Sequence, residues 1–294
     1  MSSEFGLTKL ALGLMRLNEW EYSPAQLLHY LKAAQDLCVN TIDVADIYGN
    51  YSVEEQLGKA LALDPDFRKY IRIVGKVGIK LVSNRYPKRR IKHYDTSYGH
   101  IMETVEQSLM KMQIDYLDIL LIHRPDPFMN AGETARALNQ LVREGKVLQI
   151  GVSNFAPPEI ELLQSYLEFP LRYNQVELSL LKHDALFNGD LSYLQMHRIR
   201  PMAWSPLAGG DLLNKEKVSA GFLKLVRQLT REHRLADPMQ VLLAWLWHHP
   251  ARILPVLGTG KIERLKLAAD ARDVMLPRES IYELLELIRK KPVA

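Results

Sequence analysis

Four ionisable side chains scattered along the chain, Asp43, Tyr48, Lys76 and His123, are of the types needed to protonate a carbonyl oxygen. A free phenol has a pKa near 10 and is a weak acid at neutral pH, whereas catalytic acids work best near the operating pH. A neighbouring ammonium stabilises phenolate and so predicts a lowered tyrosine pKa, each unit being worth about 1.4 kcal/mol. A carboxylate on the far side of the lysine would keep it charged and aimed, and a histidine would orient the substrate oxygen. General acid catalysis of this kind supplies roughly 10²–10⁴-fold. The hydride that completes such a reduction has to come from a bound cofactor, because no side chain donates one.

These residues belong together only if the fold gathers them. Short apolar runs rich in Val, Ile and Leu alternate along the chain with longer amphipathic segments. Strands are predicted at 9–17, 41–44, 71–77, 116–122, 147–152, 172–176, 201–204 and 253–256. Each is followed by a helical pattern, and one further helix is left over at 278–290. Ser23-Pro24 reads as an N-cap followed by proline at the first helical position. Continuous apolar strands suit a parallel sheet buried on both faces. Eight strand–helix units predict a (β/α)8 barrel with an extra C-terminal helix, one domain over residues 1–294. The rival, an open doubly wound sheet, normally carries a glycine-rich turn after its first strand. Here that turn is Leu17-Asn18-Glu19-Trp20.

In a barrel the chemistry sits at the carboxyl ends of the strands. Asp43, Lys76, His123, Ser153-Asn154, Gln175 and Trp204-Ser205 stand at predicted strand ends, with Asp46 and Tyr48 in the second loop. Strand ends are also polar simply because they meet solvent. Lys76, inside the run Ile73-Val74-Gly75-Lys76-Val77, resists that reading. A buried ammonium needs a partner, and Asp43 on the neighbouring strand is a candidate.

Several segments resemble motifs of the aldo-keto reductase superfamily: 41–49 (TIDVADIYG), 75–78 (GKVG), 120–125 (LLIHRP), 151–155 (GVSNF), 174–177 (NQVE) and 204–207 (WSPL). They fall in family order across nearly the whole chain. The resemblance implies a TIM barrel that binds NADPH in extended form and reduces a small carbonyl compound. It implies Tyr48 as proton donor, Lys76 and Asp43 as its tuning pair, and His123 as the orienting group. Ser153, Asn154 and Gln175 look like holders of the nicotinamide carboxamide. Trp204 stands where the family has a stacking aromatic, or is a core ring. Ser205, Leu207 and Gly209 look like the pyrophosphate segment. After strand eight the family lysine is replaced by Gly258, and its Glu-Asn pair by Leu267-Ala268. Thr259, the Gly260 amide and Arg264 could still meet a phosphate, with Lys261 nearby, which favours NADP(H) over NAD(H). At strand one, Met15-Arg16-Leu17 departs from the family pattern. Arg16 and Trp20 are therefore candidate substrate contacts, Trp20 reading equally as a cap on the barrel.

The composition, 47% hydrophobic and 24% charged with a net charge of +4, excludes a disordered chain and argues against nucleic-acid or membrane partners. One cysteine, Cys38, fits a reducing compartment and a cytoplasmic location, and reads as packed core. No signal peptide is read around Glu4, and no metal-ligand spacing is seen. A monomer or small homo-oligomer is expected. The short stretch after Lys290-Lys291 predicts an open, permissive pocket. The basic segment 68–94 reads as a solvated loop, or as a lure for anionic substrates through Lys88, Arg89 and Arg90. His248-His249 sits at a predicted helix C-terminus, where cations are favoured. No tyrosine is followed four residues later by lysine, which removes the short-chain dehydrogenase pattern. The alternative to a reductase is a cofactor-binding regulatory or sensor protein on the same fold, with weak turnover.

Overall fold

Eight parallel strands, buried over most of their length, close on themselves in the computed structural model, which describes residues 6–293. The eight are β1 (Ala11–Gly13), β2 (Thr41–Asp43), β3 (Arg72–Val77), β4 (Leu117–Ile122), β5 (Val147–Ser153), β6 (Leu171–Glu177), β7 (Arg200–Trp204) and β8 (Leu254–Leu257). They pair in chain order, and β8 returns to β1. The eight-stranded barrel with surrounding helices is thus as expected, and Arg278–Arg289 is the extra C-terminal helix. The reading of the N-terminus around Glu4 lies outside the described residues.

The strand pleat fixes which residues face the axis. Val74, Ile119, Leu121, Tyr173, Met202 and Val256 form one cluster inside the barrel. Ile73, Leu120, Ile122 and Ala203 belong to the larger core between strands and helices. Counting two residues on from Val74, Tyr173 and Met202 gives Lys76, Gln175 and Trp204, the top layer of the interior. The polar strand ends therefore converge.

Local differences have local causes. The first strand is shorter than its apolar run: Leu17 opens a 3-10 turn, Leu17–Trp20, that starts the first loop. Ser23 does cap its helix, its Oγ accepting from Gln26 N while Gln26 Oε1 accepts from Ser23 N. Cys38 is exposed rather than packed, because that helix ends before it and Cys38 takes a left-handed φ of 55°. The basic segment is not one solvated loop. Arg68 and Arg72 engage Asp118, Ile79–Lys80 pairs antiparallel with His93–Tyr94, and Arg89 bonds to the Tyr51 hydroxyl. The histidines after Met239–Trp247 are not cationic caps. Burial lowers the pKa of both, and His248 accepts a hydrogen bond from Leu276 N. Among the described residues no helix is long and apolar enough to cross a membrane, and no cluster of three or more metal-ligating side chains is present.

Candidate active site

Lys76 is 1% exposed, so its ammonium survives only through its partners. Its three donors are all used: Nζ lies 2.7 Å from Asp43 Oδ2, 3.0 Å from Val44 O and 3.0 Å from the Tyr48 hydroxyl. Burial favours loss of the lysine proton, but Asp43 and Tyr48 outweigh it and hold the pKa above its ordinary value. The Tyr48 ring meets the His123 ring edge-on, centroids 5.9 Å apart. The four residues singled out from the sequence thus lie side by side.

Two electrostatic details differ from the simplest expectation. The Tyr48 pKa is raised, not lowered, because burial disfavours phenolate more than Lys76 restores it. Tyr48 is therefore fully protonated at neutral pH, and Lys76 limits the cost of losing that proton. His123 is pushed well below the usual histidine range, first by burial and then by the charges of Lys76, Arg124 and Lys92. It is a neutral ring, and its buried Nδ1 has no hydrogen-bond partner.

The second loop is braced from both sides. Gly49, Asn50 and Tyr51, directly after the phenol, have φ of 56°, 56° and 68°. A Cβ on Gly49 would stand 2.7 Å from Asn18 Nδ2, so glycine is required by space as well as by φ. Asn18 donates to Gly49 O at 3.3 Å. On the other side Arg89 Nη1 and Leu81 N both donate to the Tyr51 hydroxyl, at 2.6 and 2.8 Å.

A hydrogen-bonded chain joins the fifth, sixth and seventh strand ends to this group. Trp204 Nε1 donates to Asn154 Oδ1 (3.0 Å), Asn154 Nδ2 to Ser153 Oγ (2.7 Å), and Ser153 Oγ to Gln175 O (2.9 Å). Gln175 Nε2 then donates to Asp43 Oδ1 at 2.7 Å, across 132 positions of sequence. Sequence reasoning placed Gln175 in this end of the barrel but missed its bond to Asp43, which no local pattern announces.

The seventh and eighth loops differ from this packed centre. Ser205, Ala208, Gly209 and Gly210 all have positive φ, and a Cβ added at either glycine would meet nothing within 4 Å. Gly258 is near-free, its nearest neighbour being Gly13 O at 3.5 Å. Gly260 is packed instead: an added Cβ would strike Trp20 at 2.6 Å. Tyr22 and Tyr30 donate to the carbonyls of Gly260 and Thr259, and the Trp20 ring lies edge-on to both tyrosines. Trp20 therefore braces the last loop. Thr259 Oγ1 accepts from Lys261 N at the start of the helix Ile262–Asp270. Arg264, on the first turn of that helix, is exposed, as are Lys261 and Arg16; none of the three side chains makes a hydrogen bond or ion pair among the described residues. Leu207 is partly buried against the core.

Comparison with known proteins gives a family and the same fold. The family model described as "Aldo/keto reductase family" matches residues 9–289. A 6-dehydroglucose reductase of Agrobacterium fabrum is 44% identical over 295 residues, covering 100% of this chain and 98% of that protein. The uncharacterized oxidoreductase YcsN of Bacillus subtilis is 40% identical, covering 98% and 97%. The crystal structure of an aldo/keto reductase from Klebsiella pneumoniae in complex with NADP and acetate superposes with a TM-score of 0.78 at 25% identity, covering 97% of this chain and 93% of that one.

Proposed function

The chain belongs to the aldo/keto reductase family, and from that premise we propose that it reduces an aldehyde or ketone to an alcohol with NADPH, acting in the cytoplasm as a single barrel unit. The full-length likeness to a 6-dehydroglucose reductase makes that sugar aldehyde the first substrate to try. The carrying observation is the Lys76 ammonium bonded at once to Asp43 and the Tyr48 hydroxyl, beside a neutral His123.

NADPH, when bound, supplies the hydride that goes to the carbonyl carbon. The polypeptide handles the oxygen. Tyr48 donates its proton to that oxygen as negative charge develops, and Lys76 stabilises the phenolate left behind. Asp43 holds Lys76 charged against its burial. His123, an uncharged ring edge-on to Tyr48, orients the carbonyl. Water or solvent buffer returns the proton to Tyr48.

The cofactor fits the loops available. Ser153, Asn154 and Gln175 would hold the carboxamide, and Trp204 would offer its ring to the nicotinamide. The segment with Ser205, Leu207 and Gly209 suits a pyrophosphate at its glycine, since an added Cβ at Gly209 meets nothing of the protein's own. Gly258, Thr259 and Gly260 lead into the helix Ile262–Asp270, whose N-terminus favours an anion. The unpaired cations Lys261 and Arg264 suit a 2′-phosphate.

Fluorescence titration with NADPH and NADH, followed by oxidation rates over a carbonyl panel, tests the reading. Arg264→Ala is expected to weaken NADPH about tenfold, the size of one lost charge-assisted bond, and NADH hardly at all. An equal loss for both would undo the 2′-phosphate assignment. Tight binding without turnover on any carbonyl would replace the reductase by a nucleotide-binding regulatory protein.

A further inference from the structure

Arg124 follows His123 at the mouth of the barrel, and the mechanism above gives it no task. Its guanidinium lies 5.6 Å from the centroid of the Trp204 ring. It is half-buried, and among the described residues it makes no hydrogen bond and no ion pair. The other arginines tied to aromatic rings near this end are engaged elsewhere: Arg89, 3.7 Å from the Tyr86 ring centroid, also donates to the Tyr51 hydroxyl. A partly desolvated guanidinium with five donors and no acceptor is an expensive arrangement unless a ligand completes it. The same loop holds a carboxylate, Asp126, but that group is bonded elsewhere, accepting from Phe128 N at 2.9 Å and from Thr96 Oγ1 at 3.5 Å. The positive charges of Arg124 and Lys92 are both felt at His123. Any group on the carbon next to a carbonyl held between Tyr48 and His123 enters this field.

Resting on the reductase reading, we infer that Arg124 is a specificity-determining residue that binds a pair of oxygen acceptors carried next to the reacting carbonyl. The Trp204 ring flanks the guanidinium. The acceptors have two chemical sources, the vicinal hydroxyls of a sugar-type aldehyde or the carboxylate of a 2-oxo acid, and both match a planar two-donor fork. An unadorned aliphatic aldehyde has neither, and leaves the guanidinium unpaired when it binds.

The test uses the full chain with NADPH and three small aldehydes: glyceraldehyde with vicinal hydroxyls, glyoxylate with a carboxylate, and propanal with neither. Wild type is expected to favour at least one oxygenated aldehyde over propanal by tenfold or more in kcat/KM. Arg124→Met is expected to shrink that preference at least tenfold, and Arg124→Lys to restore part of it. A loss concentrated on glyceraldehyde identifies hydroxyls as the source, and one concentrated on glyoxylate identifies a carboxylate. Thermal melts report folding of each variant, and fluorescence titration gives its NADPH affinity separately. A preference unchanged within threefold in Arg124→Met overturns the inference and leaves the reductase reading standing. A tenfold weakening of NADPH itself moves Arg124 to the cofactor and also overturns it. A wild-type protein that binds NADPH but reduces none of the three, nor 6-dehydroglucose, removes the reductase reading and this inference with it.

Discussion

Two buried ion pairs flank strand β3, one at each end of the barrel, and they are built to different ends. At the amino end, Arg68 Nη2 lies 2.7 Å from Asp118 Oδ2, and the same carboxylate oxygen accepts Ile73 N at 2.8 Å. Arg68 also donates to the carbonyls of Ile71 and Tyr116, at 3.0 and 2.9 Å. Beyond the arginines themselves, Arg72 at 3.6 Å included, the hydrogen bonds of this pair go to main chain. At the carboxyl end, Lys76 and Asp43 make an equally short pair, but one lysine donor goes to a phenol and one carboxylate oxygen to Gln175. The lesson is about what a buried charge is attached to. Where its remaining bonds go to main chain, it fixes strand register; where they go to a titratable side chain, it governs how easily that group gives up a proton. This division matches the general rule that barrels keep stability at one face and chemistry at the other.

Breaking each pair separately sharpens the contrast most. Lys76→Met is expected to lower kcat by about 10³-fold or more, because the buried phenol then becomes a far weaker acid, and general acid catalysis contributes roughly 10²–10⁴-fold. NADPH affinity should change little. Asp118→Asn is expected to leave kcat within a few-fold but to lower Tm by about 10 °C, since unpairing a buried ion costs roughly 3–5 kcal/mol and each kcal/mol shifts a domain of this size by a few degrees. Thermal melts and saturation kinetics on both variants check this. A large kcat loss in Asp118→Asn at temperatures where it remains folded would erase the distinction.

Gln175 offers a finer cut, because it belongs to both the cofactor side and the Asp43 side of the carboxyl-end pair. Gln175→Leu removes a hydrogen bond to a charged group, an interaction worth about 1.5–3 kcal/mol. If the bond to Asp43 matters for chemistry, kcat at saturating NADPH falls about tenfold. If Gln175 serves the cofactor alone, the loss appears entirely as weaker NADPH binding and kcat at saturation is unchanged. Measuring both constants on the same preparation separates the two.

Much of this was legible in the sequence, and the reasons are physical. Continuous apolar strands and amphipathic helices of fixed order leave a closed barrel as the economical solution, and a period of two along each strand then puts Lys76, Gln175 and Trp204 in one layer. Asp43, Tyr48, Lys76 and His123 could be grouped because they stand at or just after predicted strand ends, Lys76 inside an apolar run, and all four lie in segments that resemble the family's motifs. What escaped was side-chain geometry across the barrel. The Gln175–Asp43 bond spans strands that share no sequence pattern. The sign of the Tyr48 shift depends on how deeply the ring is buried, and spacing does not report depth. The brace of Trp20, Tyr22 and Tyr30 on the last loop has a faint trace in the glycine at 260, whose missing side chain makes room for an indole. Arg124 was visible beside His123, but only its lack of partners marks it out.

A third set of buried charges lies between the two extremes, and it has no cation fully committed to it. Asp46 and Glu54 are 4% and 1% exposed. Asp46 Oδ1 and both Glu54 oxygens lack hydrogen-bond partners, and Lys111 approaches Glu54 only to 3.7 Å. Burial pushes both carboxyls up, and the charge of Glu54 pushes Asp46 further, well above its ordinary value. The sign of the consequence follows from proton counting. The unfolded carboxyls release their protons near pH 4–5, while the folded ones keep theirs to higher pH. Across that interval the folded state binds more protons, so the stability this pair provides is complete in acid and is lost as pH rises toward the folded pKa values. Glu54→Gln removes one of the two titrations. Its Tm relative to wild type is therefore expected to be near zero or negative at pH 4.5 and to climb by a few degrees toward pH 8, corresponding to about 1–2 kcal/mol. The depressed His123 works in the opposite sense, costing stability as pH falls below about 6.5, but it is common to both proteins and cancels in the difference. A Tm difference that stays flat from pH 4.5 to 8 would mean that Lys111 neutralises Glu54 after all, and that this site resembles the amino-end pair more than an unpaired charge.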